Sequence, residues 1–359
     1  MMNILIPFAE LGNYILFSIL AGHVALQFVP EEKKPVIRIP KPVLLLSTLG
    51  IIIFTLGPIV QVISFFKEGI GLQQATLSAF TEFQVGKAWT FISFMATLLW
   101  MTIHVQGSKY VQALLLFLMF LGVGYASHSA SLSLWSGLFS HTTHFLIVSL
   151  WTGILIHVSW FSKKQSNWLR FLRWFTPFAL ACLVIILISG FIIMFSFVEP
   201  QDYMKSWVLP YGQMLLLKHI SIIPVIAFAF VNGFLVKKAL YLSSFNPRPW
   251  LIGETILLMI VFYLTGVLGT LMPPHEIDFT VSSEGASPWV EWLLSKDIIA
   301  PLYIQFIPSL QTILLMIISI LFLTMIVVSF RKAKPYLGLV FGICFIAALY
   351  MGLMLSISI

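Results

Sequence analysis

The sequence predicts an all-α fold: a polytopic transmembrane helical bundle of about ten spans with both termini outside. Three observations predict it. The 359 residues are 59% hydrophobic and 9% charged, with a mean hydropathy of +1.00, whereas a soluble domain is about 25% charged. So few charges could not cover the surface of a soluble fold, which excludes the soluble, disordered and collagen-like classes. The apolar residues fall into ten long runs, and the basic residues alternate between the linkers that join them.

The first run, 4–29, has no basic residue before it and no small-residue cleavage site after it. It therefore reads as a retained span rather than a signal peptide. The others are 43–66, 88–106, 110–127, 136–161, 175–198, 211–235, 251–272, 307–330 and 336–357. Each is long enough to cross a hydrocarbon layer of about 30 Å as a helix. Helix is also the only open-chain solution there, because lipid satisfies no stray backbone group. Only Gln106-Gly107-Ser108 parts the third run from the fourth, and Pro58, Pro177 and Pro224 fall within runs as expected kinks. The longest loop, 273–306, carries five acidic residues against Lys296, and its Ala286–Trp292 stretch is expected to form a short interfacial helix with tryptophans at headgroup level.

Charge sets the sidedness. Linkers after the first, third, fifth, seventh and ninth runs hold 15 basic residues, from Lys33 to Lys334, while the alternate linkers hold four, Lys67, Lys87, Lys205 and Lys296. The twentieth, Lys218, lies inside a run. The basic side is expected to be cytoplasmic. Clusters of this kind orient helices rather than bind phosphate backbones, so the net charge of +7 does not indicate a nucleic-acid partner. Cys182 and Cys344 each sit alone in an apolar run, with no CxxC pair to suggest zinc or redox chemistry. No Gly-rich phosphate loop, Gly-x-Ser-x-Gly elbow or His-Glu-x-x-His motif occurs.

Ionisable groups within spans are costly, so each is a functional candidate. In the outer half, His144 and His219 lie roughly 12 Å deep, with His141, Glu10 and Lys218 shallower and His128 at the rim. His23, His104, His157 and Glu254 lie in the inner half, and His275 follows the eighth run. His141 and His144, three apart, share a helix face. With His128 and His219 they make a candidate outer metal cluster. Met214 and Met272 could add soft thioether ligands. Competing readings are plain: Glu10 and Lys218 could form an ion pair that only ties helices together, and the inner histidines could simply meet headgroups or backbone carbonyls.

These residues carry a resemblance. Ser127-His128-Ser129-Ala130, the His144–Gly153 helix with Trp151, Tyr211-Gly212-Gln213-Met214-Leu215-Leu216-Leu217-Lys218, and Glu254 ahead of Leu268–Pro274 together resemble the copper-resistance protein D (CopD) family, over roughly 120–275. The resemblance implies an integral protein of the cell membrane, multi-pass and in a bacterial plasma membrane, that handles copper as a permease or as an accessory to copper uptake or resistance. It carries over to His128, His144, Trp151, Gly153, Lys218 and Glu254, while His141 and His219 belong to this sequence's own pattern. The expected layout is N-terminal helices 1–119, a CopD-like core 120–275, an outer acidic loop 276–306 and two C-terminal helices 307–359. The partners it implies are copper ion, the lipid bilayer and an outer-side copper donor protein. The copper-binding β-sandwich fused to some relatives has no counterpart in this sequence.

Transport without enzymatic activity is the leading expectation. The alternative is a b-type cytochrome with haem b on facing histidines. His144 and His157 are 13 residues apart, about 20 Å along one helix but about 140° apart around it, so they would face different neighbours. A third reading is an oxidase-assembly or scaffold protein whose histidines only pack.

Overall fold

A computed structural model describes residues 2–163, 167–241, 245–274 and 276–359. Lys164 and His275 lie outside them. In chain order the helices are α1 (Met2–Gln27), α2 (Lys41–Phe54), α3 (Gly57–Ile70), α4 (Leu72–Thr81), α5 (Gln84–His104), α6 (Lys109–Tyr125), α7 (His128–Leu132) and α8 (Leu134–Trp160). Then come α9 (Trp168–Phe195), α10 (Pro210–Gly233), α11 (Leu235–Tyr241), α12 (Arg248–Thr270), α13 (Ile277–Glu284), α14 (Pro288–Leu294), α15 (Leu310–Arg331) and α16 (Pro335–Met354). The only paired strands among the described residues are the two-residue β1 (Gln305–Phe306) and β2 (Ile357–Ser358).

The all-α polytopic bundle is therefore what forms, and all ten apolar runs are helical. Among the described residues, eight segments are long and apolar enough to cross a membrane, with α2 and α3 counting as one. α5 and α6 fall short of that standard. α6 has 17 residues, and α5 is diluted by Lys87, Thr90, Ser93, Thr97 and Thr102. Because α5 and α6 are consecutive, counting both or neither leaves the direction of every later helix unchanged.

The second run is not one helix. It breaks at Thr55-Leu56, and Pro58 takes the first turn of α3. A proline ring there would clash with the carbonyl four residues back in a continuous helix, whereas a helix's first turn has no N–H to lose. Pro177 and Pro224 remain inside α9 and α10. The short turn between α5 and α6 is made by Gln106 at φ 55°, Gly107, and Ser108, whose hydroxyl caps α6 by accepting from Tyr110 N–H.

The chain divides into two compact units, 1–196 with 235–248, and 197–234 with 249–359. In the first unit, α1, α6 and α8 bury a cluster of Phe17, Phe120 and Phe145, whose ring centroids are 5.0–5.1 Å apart. α1 and α8 pack closely where Gly22 meets Gly153. A Cβ on Gly153 would lie 2.0 Å from Ser18 O, and one on Gly22 would lie 2.8 Å from His157 Nδ1. Ser18 thus faces Gly153 while Gly22 faces His157, so the two helices run in the same direction. Each contributes a Ser-x-x-x-Gly face, Ser18 to Gly22 and Ser149 to Gly153, the small-residue pattern that lets membrane helices approach closely.

Four of the five basic linkers meet at one end of this unit. Ile37 bridges Ser162, with Arg38 N–H donating to Phe161 O (3.1 Å) and Lys163 N–H to Val36 O (3.0 Å). Lys41 Nζ donates to His104 O (2.6 Å) and Lys109 Nζ to Gln27 O (3.4 Å). Arg248 donates to Ser159 O (2.6 Å) and Trp160 O (3.1 Å). These cations cap the last carbonyls of α1, α5 and α8, which stabilises each end by roughly 0.3–1 kcal/mol. The residues that bias orientation thus also close the helices.

In the second unit the acidic loop folds onto the segment 203–209 and the chain's last residues. Ser287 N–H donates to Val208 O (2.8 Å), Leu302 N–H to Asp278 Oδ1 (2.8 Å), and β1 pairs with β2. Trp207, Val208, Val281, Val290 and Met354 form the apolar core beneath. The expected helix near Ala286–Trp292 is α14. Its Trp289 and Trp292 stack with centroids 5.0 Å apart and remain exposed.

Gathering of the basic linkers predicts a labelling pattern. In intact cells, single cysteines placed in 167–173 or at 237–238 should resist an impermeant thiol reagent. Cysteines in 276–297 should react. Labelling of both basic linkers from outside would overturn the assigned sidedness.

Candidate functional site

Each predicted site residue is described within its own unit. The first unit holds Glu10, His23, His104, His128, His141, His144 and His157, and the second holds Met214, Lys218, His219 and Glu254.

His144 is the best-defined outer histidine. It is half-buried on α8 against α9, and its Nδ1 lies 3.1 Å from both Ile186 O and Ser189 Oγ. Ser189 already donates its hydroxyl proton to Ile185 O at 2.7 Å, so both neighbours of Nδ1 are acceptors. Nδ1 must carry the proton, and Nε2 carries the lone pair. Holding one ring nitrogen by a backbone carbonyl so that the other can ligate is the device that orients metal-binding imidazoles. Gly190 leaves room for the ring: a Cβ there would stand 3.2 Å from His144 Cε1.

His141 is half-buried one turn nearer the start of α8, and His128 is exposed as the first residue of α7, behind the Ser127 cap. Gly137 lets α7 press onto α8, since a Cβ there would fall 2.1 Å from the Ser129 backbone.

In the second unit, His219 Nδ1 meets the Tyr203 hydroxyl at 2.7 Å. Tyr203 lies on the connection before α10, and burial pushes its phenol up to about 12, so it is neutral at physiological pH. When His219 carries its proton on Nδ1, the phenol oxygen accepts it and Nε2 becomes the ligating atom. Lys218 and Met214 are half-buried on the same helix. Glu254 on α12 is 2% exposed and accepts a hydrogen bond from Asn232 Nδ2 on α10.

The inner residues separate. His104 stays exposed at the end of α5, stacked on Trp100 with centroids 5.2 Å apart. His157 and His23 come to the α1–α8 crossing. His157 Nδ1 donates to Gly153 O at 2.7 Å, which is the backbone-carbonyl contact weighed for the inner histidines. His23 Nε2 receives Gln27 Nε2 at 3.0 Å. Glu10 sits beside the α2–α3 break, its Oε1 3.8 Å from the place a Gly57 Cβ would take, with Asn13 bonded to its side chain. Among the described residues no three His, Cys, Asp or Glu side chains are grouped as a metal site.

The sequence reading missed the residues that hold these groups: Ser189 and Gly190 for His144, Tyr203 for His219, Asn232 for Glu254, and Gln27 with Gln112 for His23. The available signal was the uncharged polar residues inside apolar runs. Gln112, Ser189 and Asn232 interrupt long stretches of Leu, Ile, Val and Phe, and a buried amide or hydroxyl needs a partner as surely as a charge does.

Comparison with known proteins is consistent with this organisation. Residues 169–268 match the family model Copper resistance protein D (CopD), a stretch that runs from α9 to near the end of α12 and includes Met214, Lys218, His219 and Glu254. The earlier residues of the resemblance, His128 to Gly153, lie before the matched stretch. No curated protein and no solved structure matches the chain. Among the described residues the chain thus has the build of a multi-pass membrane protein, and its stretch from α9 to α12 is similar to the copper resistance protein D (CopD) family.

Proposed function

We propose that the protein handles copper within the membrane, as a permease or as an accessory to copper uptake or resistance, with no enzymatic step. In this reading the outer histidines His128, His141, His144 and His219 are the metal-binding residues. The observation that supports it is the anchored His144 ring, whose Nδ1 faces Ile186 O and Ser189 Oγ and is thereby held in orientation. Imidazole suits both Cu(I) and Cu(II), and a thioether such as Met214 favours Cu(I). His219 enters the set on its depth in the sequence and on the Tyr203 contact that engages its Nδ1. An exposed His128 at the rim offers a first ligand to an ion still partly hydrated, and the half-buried His141 and His144 offer drier ones, so the ion could shed water stepwise. Lys218 and Glu254 are accessory groups in this reading, which the family resemblance and the burial of Glu254 support.

The test is an absorption spectrum and a copper assay on one purified sample. Copper should bind at up to about one equivalent per chain at the outer histidines, with no Soret band. His144→Ala should abolish this binding, because no water replaces a lost ligand at that depth. His219→Ala should do the same if it ligates, and an unchanged titration would restrict the site to α7 and α8. A Soret band that disappears in His144→Ala would reassign the protein to haem.

A further inference from the structure

The α1–α8 crossing holds a second pair of imidazoles that the outer site does not use. His157 is 1% exposed, and among the described residues its Nε2 has no hydrogen-bond partner. Its Nδ1 faces Gly153 O at 2.7 Å and must be the protonated nitrogen, so the unpartnered atom is a bare lone pair. A buried acceptor without a donor costs roughly 1–3 kcal/mol, and such an atom in a packed core calls for a ligand that answers it.

His23 stands beside it. The preceding residue, Gly22, packs onto the His157 ring, where a Cβ would lie 2.8 Å from His157 Nδ1. A chain of amides fixes the His23 ring. Gln112 Nε2 donates to Gly107 O (3.1 Å), so Gln112 Oε1 is the acceptor for Gln27 Nε2 (2.9 Å). The second Gln27 proton then goes to His23 Nε2 (3.0 Å). His23 Nε2 is therefore also a lone pair, held by a side-chain donor that can turn away.

Both rings offer an Nε2 nitrogen. Among the described residues no carboxylate or thiolate joins them in a group of three, and Lys34 adds positive potential at His23. That environment disfavours a hard divalent ion. It suits a soft monovalent one that accepts two nitrogen ligands, the class of Cu(I) and its redox-inert analogue Ag(I).

We infer that His157 and His23 form an inner two-imidazole site for a soft monovalent metal ion, which takes the unpaired Nε2 of His157 and replaces the Gln27 N–H on Nε2 of His23. No proton leaves either ring, since both already carry theirs on Nδ1. The inference rests on the copper reading only for the choice of ion.

The test uses full-length protein in lipid nanodiscs and Ag(I) alone as probe. With histidine ring nitrogens labelled, wild-type His157 should show the Nδ1–H tautomer, and its Nε2 resonance should shift on Ag(I) addition. This measurement needs no variant. His157→Phe should weaken inner-site binding by more than the roughly 10–100-fold that loss of an outer-shell partner costs. His144→Ala should retain the inner equivalent and lose only the outer one. An Nε2 resonance of His157 unmoved at saturating Ag(I) would overturn the inner site, as would wild-type stoichiometry in a folded His157→Phe. Loss of the inner equivalent in His157→Phe with none lost in His144→Ala would sink the outer reading and leave this one standing.

Discussion

Gly153→Ala should destabilise the protein by about 3 kcal/mol or more, at or beyond the top of the usual range for overpacking. The added methyl would sit 2.0 Å from Ser18 O, 2.7 Å from Gly22 N and 3.0 Å from Gly22 Cα. All three are backbone atoms, so no rotamer change relieves the clash and α1 must move off α8. That movement would also open the crossing where His23 and His157 lie. Gly269→Ala is the control. It lies within α12 with nothing within 4 Å of its would-be Cβ, so it should be neutral or stabilise by up to about 1 kcal/mol through helix propensity. Thermal unfolding of the two purified variants, followed by monodispersity in detergent, measures the difference. Equal stability would mean that the helices do not pack through Gly153.

The fold was legible because lipid removes choices. Ten apolar runs had to be helices, and they are. The basic linkers that charge groups together meet in space, with Ile37 paired to Ser162, Lys41 to His104 and Arg248 to Ser159. The break at Thr55-Leu56 was only half legible. Pro58 marked a disturbance, but whether a proline stays within a helix, as Pro177 and Pro224 do, or starts a new one depends on whether the preceding turn can end. The shortfall of α5 and α6 as membrane-crossing helices was not legible from run length, because α5 gains its length by including hydroxyl residues.

The site was legible in residue type but not in support. Depth along the chain set His23 and His157 at one level, and Gly22, next to His23, packs on the His157 ring. It also grouped His104 with them, although that ring stays exposed on Trp100. Depth is one coordinate, and azimuth around the helix comes only from packing. The tautomers of His144 and His157 depend on which carbonyl each ring meets, and that is set by neighbouring helices or by a rotamer, neither of which is written in spacing.

Asn232→Leu should cost about 1.5–3 kcal/mol, the range for losing a hydrogen bond to a carboxyl. Asn232 and Glu254 are 4% and 2% exposed, and the Asn232 amide is the donor that meets Glu254 Oε2. Removing it leaves a buried carboxyl group without its donor between α10 and α12. Replacing both partners with leucine should be milder than the single loss, because no buried polar atom then lacks its partner. Hydrogen bonds between membrane helices average only about 0.6 kcal/mol in such cycles and reach about 1.7. The coupling between Asn232 and Glu254 should lie near that upper value, since one partner is a carboxyl and water is excluded. Among the described residues Asn232 Oδ1 has no partner of its own, so no competing bond from them holds the amide in place. A four-way unfolding cycle of wild type, Asn232→Leu, Glu254→Leu and the double variant gives the number. Additive losses, with the double variant as unstable as the sum of the singles, would show that the pair is not energetically coupled and that Glu254 is kept for what it binds rather than for how α10 and α12 pack.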